Sequence, residues 1–371
     1  MIGYDVAIIG AGIAGATLAA EVAPYMSVLL LETEGQPGYH ATGRSNAFWH
    51  QTYGGPLIEP LTTASLEWLR SPPPEISETG FLSKRGAITI GRAQDQGAVN
   101  AFANGFAGSG VKFDSLNRAA LLSHIAGLRE EWDRGLYEEN CYDIDVAAYH
   151  AAVLRVAKYH GGVLVSNAQL THASRRGGHW QIVTRQGDFE AAVLVNAAGA
   201  WADDVARISD VAPIGVKPYR RTIVQLAVDS DVRPDLPMVI DINGGFYFKP
   251  GAGRIWLSPH DETQSPACDA APEEYDIALA IDRFEKVVDW GVRRVEHSWA
   301  GLRSFAPDRL PVYGFDQDCE GFFWCVGQGG FGIQTAPAAA KLGLSLISGK
   351  SCDPMIAAID PARYAPGRFA K

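Results

Sequence analysis

The stretch YDVAIIGAGIAGATLAAEVA near the N-terminus leaves a chain like this few folds to choose from. YDVAIIG is a short apolar run rich in β-branched residues, the pattern of a strand buried on both faces of a parallel sheet. In IAGATLAAEVA the small and apolar residues recur instead at helical spacing. Gly10, Gly12 and Gly15 therefore fall in the turn between a strand and a helix, the context in which Gly-x-Gly-x-x-Gly carries meaning. Gly10 permits the tight turn, Gly12 lets the backbone approach a diphosphate, and Gly15 lets helix and strand pack closely. Ile13 and Ala14 open the helix, whose free N–H groups and positive dipole end favour anions. A second apolar strand, SVLLLE, ends in Glu32 and Thr33. That places an acid roughly 20 residues on, where ribose hydroxyls need one. The reading is a nucleotide site at the carboxyl ends of a parallel sheet.

At 371 residues the chain exceeds the usual single-domain size, so two domains are expected. A formal net charge of −10 with no Lys/Arg cluster argues against a nucleic-acid-binding face. The first apolar segment contains Asp5 and Glu21 and lacks a basic lead, so neither a signal peptide nor a membrane span is expected, and the reading is cytoplasmic. Cys141, Cys268, Cys319, Cys325 and Cys352 are odd in number and form no C-x-x-C pair. They argue against disulfides and a metal site and read as buried thiols.

Further along, KRGAITIGR reads as a strand, residues 145–160 as a helix, and FEAAVLVNAAGAWADDVA as a strand and glycine turn opening a helix. From about residue 216, RRTIVQLAVD, GGFYFKPG and GRIWLSPH alternate as an antiparallel sheet with one solvated face would. FFWCVGQGGFGIQTAPAAAKLGLSLISG returns to strand, glycine turn and helix. The expected fold is α/β. Residues 1–84, 141–210 and 308–371 form a discontinuous Rossmann-like nucleotide domain with a parallel sheet. Residues 85–140 and 211–307 form an antiparallel-sheet substrate domain. Ligands of such folds bind where the two meet.

Four segments, DVAIIGAGIAGATLA with SVLLLE, GYHATGRSNAFWHQTYGG, VLVNAAGAWADDVA and WAGLRSFAPD…FFWCVGQGGFGIQTAPA, resemble the D-amino-acid oxidase family of flavoenzymes over nearly the whole chain. Within it, TGRS, VLVNAAGAW, WAGLRSF and QGG-aromatic-GIQ are most similar to D-arginine dehydrogenases. The resemblance implies FAD, with its ring near Arg44 and Ser45, further contacts at Ala198, Gly199 and Trp201, and the turn Gly329, Gly330, Phe331, Gly332, Ile333 and Gln334 at the pyrimidine end. N–H groups opening the final helix suit the negative charge of a reduced flavin. Some relatives attach flavin through a Cys just after the WAGLRSF-like segment. Here Phe305 and Pro307 stand in that region, so FAD is expected to be non-covalent. No second dinucleotide fingerprint occurs, so electrons leave to an acceptor the sequence does not identify.

Oxidation of an amino acid at its α-carbon requires a carboxylate clamp, and arginine supplies one. Arg303, in the apolar setting WAGLRSF, is too costly to bury without an anionic partner, which is either substrate or a structural carboxylate. Arg221 is the second candidate, with its neighbour Arg220 able to take the same role. Tyr53 and Tyr247 match family tyrosines that touch the substrate carboxylate or cap the pocket. Asn46, Phe48, His50, Ala87, Gly330 and Phe331 complete the expected pocket, with His50 assigned to binding. Ala87 stands where the resembling enzyme holds a guanidinium with an acid, and Phe48 replaces a polar residue. The expected reaction is oxidative deamination of a D-amino acid with a neutral or apolar side chain. The same clamp suits oxidation of a 2-hydroxy acid or of a secondary amine of the sarcosine or glycine type, and a flavin-binding subunit without turnover would share the fingerprint.

Overall fold

The computed structural model describes residues 3–369. Strand β1 (Gly3–Ile9) runs parallel to β2 (Val28–Leu31) on one side and to the strand Gly187–Asn196 on the other. Side chains alternate across a strand. Val6 and Ile8 therefore pack beneath helix α1 (Ile13–Val22) in one core, and Ala7 and Ile9 enter a second core on the opposite face. Burial on both faces is why this strand reads as an unbroken apolar run. The sheet has eight strands, and its first face is covered by α1, the helix Val146–Tyr159 and the final helix Gly332–Ser348.

The glycine turn follows from two close approaches. Gly10 has φ +102°, and a Cβ there would lie 3.0 Å from the carbonyl carbon of Ala197 on the adjacent strand's exit. A Cβ on Gly15 would collide with the carbonyl oxygen of Gly10, so helix and turn touch as the fingerprint requires.

A ten-stranded, largely antiparallel sheet lies beyond, built from strands between Ala87 and Glu138, strands between Lys217 and Phe305, and the short Gln328–Gly329. One solvated face was expected for it, but Tyr247–Gly251 is buried at four of its five positions. Helix Glu274–Glu285 covers one side through Ala280 and Phe284, while Arg221, Ile223, Tyr247 and Arg303 line a cavity shared with the glycine turn of the first sheet. A third, three-stranded sheet of Phe48–His50, Cys141–Ile144 and Leu82–Lys84 has no counterpart in the sequence reading. The cysteines are free, but only Cys141 and Cys325 are buried. Cys268 and Cys319 are part-exposed and Cys352 is exposed, because they lie in loops rather than in the cores. Among the described residues no helix is long and apolar enough to cross a membrane, and no group of His, Cys, Asp and Glu has metal-binding geometry.

Candidate active site

A cavity of about 350 Å³ runs from the glycine turn of the first sheet to the concave side of the second. At one end it is lined by Gly10, Gly12, Ile13, Ala14, Glu32 and Thr33. The carboxylate of Glu32 accepts N–H bonds from Ala11 at 2.9 Å and Glu34 at 3.0 Å, so it braces the turn as well as facing the cavity. Thr42 Oγ1 accepts the Ile13 N–H at 2.9 Å. The Gly12 N–H, between these two engaged amides, meets no acceptor among the described residues. An unpaired amide at the mouth of a helix, with a ribose-type acid beside it, fits a dinucleotide diphosphate. Gly15 does not line the cavity; its contribution is the close packing described above.

The middle of the cavity is walled by Arg44, Ser45, Ala198, Gly199 and Trp201. Trp201 leans on His40 with ring centroids 4.6 Å apart. Arg44 does not offer a free guanidinium. It bonds the carbonyls of Ala270 at 2.9 Å and Ala300 at 3.2 Å and pairs with Asp269, which ties its loop to the strand Val292–Phe305 and to the loop before helix Glu274–Glu285. Gly329, Gly330, Gly332 and Ile333 close the far wall, where the final helix begins. These residues fit FAD, and the free N–H groups opening the final helix would suit a negative charge beside them.

The two arginines meet because of strand register. In the antiparallel pair of Lys217–Val228 with Val292–Phe305, Arg221 stands opposite Gly301 and Tyr219 opposite Arg303. Arg221 and Arg303 are thus diagonal neighbours on one face. Arg220 points to the other face and is held by Glu273 and Asp276, which settles the choice between the adjacent arginines. Arg221 is 4% exposed. Its Nε donates to the Asp261 carbonyl at 2.7 Å and its Nη2 to Glu262 at 3.2 Å, but its buried Nη1 has no partner. Arg303 forms no ion pair and no guanidinium hydrogen bond among the described residues. Burial, and then the charge of Arg303, lower the Arg221 pKa to about 10. For Arg303 burial also opposes the charge, but the Tyr53 and Tyr247 phenols and the Glu262 and Asp261 carboxylates prevail and leave it raised.

The strand pairing of Gln328–Gly329 with Ser304 and Phe305 delivers Gly330 to this pair. A Cβ on Gly330 would collide with Tyr53 Oη and lie 2.9 Å from Arg303 Cζ, so tyrosine, arginine and glycine converge on one point. Tyr247 and Asn46 line the same end, and both polar atoms of the Asn46 amide are buried without partners. Burial raises the Tyr247 pKa, so its phenol stays protonated. His260, absent from the sequence reading, packs edge-on to Tyr247 at 5.8 Å and bonds the Gly244 carbonyl through Nδ1 at 2.8 Å. Burial, with Arg221 and Arg303 adding, drives its pKa to about 3, so it is neutral. Nothing in its local sequence marks it; its position is set by the sheet.

Three expectations are corrected. His50 does not reach the cavity: its Nε2 sits 3.1 Å from Glu138 and 3.2 Å from Thr52 Oγ1, in a buried network behind Tyr53. Gln334 does not face the cofactor wall either. Its amide takes the His50 N–H at 3.1 Å and donates to the Tyr53 carbonyl at 3.1 Å and Thr62 Oγ1 at 2.8 Å, fastening the Tyr53 turn to the final helix. Phe48, Ala87 and Phe331 stand behind the lining. Phe48 packs edge-on between Tyr53 at 5.1 Å and Tyr247 at 5.8 Å, Ala87 is buried in the same cluster, and Phe331 packs on Phe305.

Comparison with known proteins agrees with this architecture. The chain is 26% identical over 255 residues to the bifunctional protein ThiO/ThiG of Synechocystis, covering 67% of this chain and 37% of that protein. It is 24% identical over 254 residues to the mitochondrial dimethylglycine dehydrogenase of Rattus norvegicus, covering 62% and 29%. It thus spans about a third of the length of these relatives. Glycine oxidase from Geobacillus kaustophilus superposes with a TM-score of 0.85 at 21% identity, over 99% of both chains. The family model described as FAD dependent oxidoreductase (DAO) matches residues 5–345, and the chain therefore belongs to the DAO family of FAD-dependent oxidoreductases.

Proposed function

We propose that the chain catalyses the oxidative deamination of a D-amino acid with a neutral or apolar side chain, yielding the 2-oxo acid and ammonia. The observation that carries this is the pair of guanidinium groups at one end of the cofactor cavity, Arg303 without an internal partner and Arg221 with a buried, unpaired Nη1. FAD supplies the acceptor for the α-carbon hydride. Arg303 and Arg221 bind the substrate carboxylate through charge-assisted hydrogen bonds, and the protonated Tyr247 phenol stands ready to add another. Anchoring the carboxylate there fixes which α-hydrogen is presented to the ring. Among the described residues no free base faces this end. His260 is neutral with a strongly depressed pKa, and His50 is held by Glu138 and Thr52. The substrate amine therefore enters unprotonated, and the imino acid hydrolyses after release.

Side-chain preference follows from the apolar lining of Ile223 and Tyr247 beside the arginines, backed by Phe48, Ala87 and Met238 in the same cluster. A buried carboxylate, Glu138, is directly opposite Ala87 on the neighbouring strand, but His50, Thr52 and the Gln51 N–H already engage it. D-arginine and D-lysine would find no counter-ion and are poor substrates. A second reading is oxidation of glycine or an N-methylated glycine, favoured by the names of the relatives, a glycine oxidase and a dimethylglycine dehydrogenase. Anaerobic titration of the flavin absorbance with D-amino acids, their L-forms, glycine, sarcosine, dimethylglycine and 2-hydroxy acids decides. Bleaching by D-leucine or D-alanine well ahead of the others supports the first reading. Bleaching by only the glycine series moves it to the second, and comparable bleaching by D-arginine and D-leucine refutes the side-chain assignment.

A further inference from the structure

The turn that faces the dinucleotide has a support on a distant helix. His150, in Val146–Tyr159, is buried, with Nε2 2.8 Å from the carbonyl oxygen of Ala11. A carbonyl only accepts, so Nε2 carries the proton and Nδ1 is bare. The ring has a tailored seat. Gly38 has φ +78°, and a Cβ there would lie 2.9 Å from His150 Cε1 and 3.1 Å from Nδ1. Burial lowers the His150 pKa, against smaller opposing effects of the Ala11 carbonyl and Glu32, so the ring stays neutral.

The consequence comes from peptide geometry. The Ala11 carbonyl and the Gly12 N–H belong to one planar trans unit and point in opposite directions. Holding the oxygen on the helix side therefore turns the N–H toward the cavity that Gly12 lines. This is also the amide that lacks a partner among the described residues, while Glu32 and Thr42 hold the N–H groups on either side of it. A hydrogen bond to the carbonyl polarises the unit and strengthens the N–H as a donor. We propose that His150 is a positioning residue for the cofactor: by donating from Nε2 to the Ala11 carbonyl it fixes the Ala11–Gly12 peptide and aims the Gly12 N–H at a diphosphate oxygen of the bound dinucleotide. This rests on the reading that the glycine turn holds the FAD diphosphate.

The test is to strip the flavin from the purified holoprotein and titrate FAD back, reading the quench of flavin fluorescence, for wild type and three variants. H150F keeps a ring without a donor. H150Q places an amide nitrogen where Nε2 was, whereas H150N places it where Nδ1 was, too short to reach Ala11. H150F and H150N are expected to weaken FAD binding about five- to tenfold, the scale of one buried hydrogen bond, and H150Q to stay within about twofold of wild type. Melting temperatures of the flavin-free proteins are not expected to follow that order. Wild-type affinity in both H150F and H150N overturns the proposal, as does a loss in H150Q equal to theirs. Should wild-type protein itself take up no FAD, the cofactor reading fails together with this one.

Discussion

Replacing Arg303 by methionine separates binding from stability in a way that few buried arginines allow. A hydrogen bond to a charged group contributes about 1.5–3 kcal/mol, and a guanidinium fork makes two of them to a carboxylate. With the free Nη1 of Arg221 still present, the expected loss in R303M is about 3–5 kcal/mol. At 1.4 kcal/mol per factor of ten, kcat/KM falls by roughly a hundredfold to a few thousandfold. Anaerobic stopped-flow reduction of the flavin divides the loss between a weaker substrate Kd and a slower limiting rate caused by misorientation. Stability moves differently. Arg303 has no internal ion pair to lose, and the phenols and carboxylates that outweigh its own burial are offset by its depression of the Arg221 pKa. R303M is therefore expected to melt close to the wild-type temperature, at about 1 °C per kcal/mol for a chain of this size. R221M breaks bonds to Asp261 and Glu262 and is expected to melt lower. An R303M protein that melts several degrees below wild type while binding substrate normally would refute the assignment of Arg303 as an unsatisfied cation awaiting substrate.

The remaining expectations are smaller. G330A drives a methyl group into Tyr53 Oη and the Arg303 guanidinium, so steady-state kinetics should show KM raised at least about tenfold with the FAD content unchanged. His260, ordinarily near 6.5, is held to about 3 in the fold, so between those values the unfolded chain binds the extra proton and stability falls as pH drops through that window. H260N keeps the donor to the Gly244 carbonyl and suits the positive φ of 58°, and urea unfolding at pH 7 and pH 5 should show it losing less stability, by up to about 1.4 kcal/mol per pH unit below 6.5. D-alaninamide, which offers the arginines no charge, should reduce the flavin at least about a hundredfold less efficiently than D-alanine, and equal reduction by both would remove the carboxylate clamp.

What the sequence made legible was local. The glycine turn, Glu32 and the helix after them lie within thirty residues, and the chemistry of each is written in its neighbours. Arg221 and Arg303 were separable from Arg220 only through register, because a shift of one residue would have exchanged the faces of all three. His50 was assigned to binding as the histidine inside the loop that leads to Tyr53. Its ring instead meets Glu138 and Thr52, and the three-stranded sheet that carries it depends on Cys141–Ile144, about ninety residues away in the chain. Gln334 was read with the glycine turn before it, yet as the third residue of the final helix it points back to the Tyr53 turn. His150 carried no signal beyond helical periodicity, since its partner is a backbone carbonyl with no side chain to recognise.

These misplacements share a direction. Two residues read as touching ligand proved to hold the Tyr53 turn instead: Gln334 fastens the Tyr53 backbone, and the His50–Glu138 pair backs the same turn. Tyr53 reaches Arg303 and Gly330 from a loop, and a loop hydroxyl keeps its aim only if its backbone is tied down. The final helix thus lines the cavity with Gly332 and Ile333 and holds the Tyr53 backbone through Gln334 one residue later. One helix therefore couples the wall at Gly332 and Ile333 to the turn that carries Tyr53 toward Arg303 and Gly330, so on the proposed reading a shift of either would be felt by both.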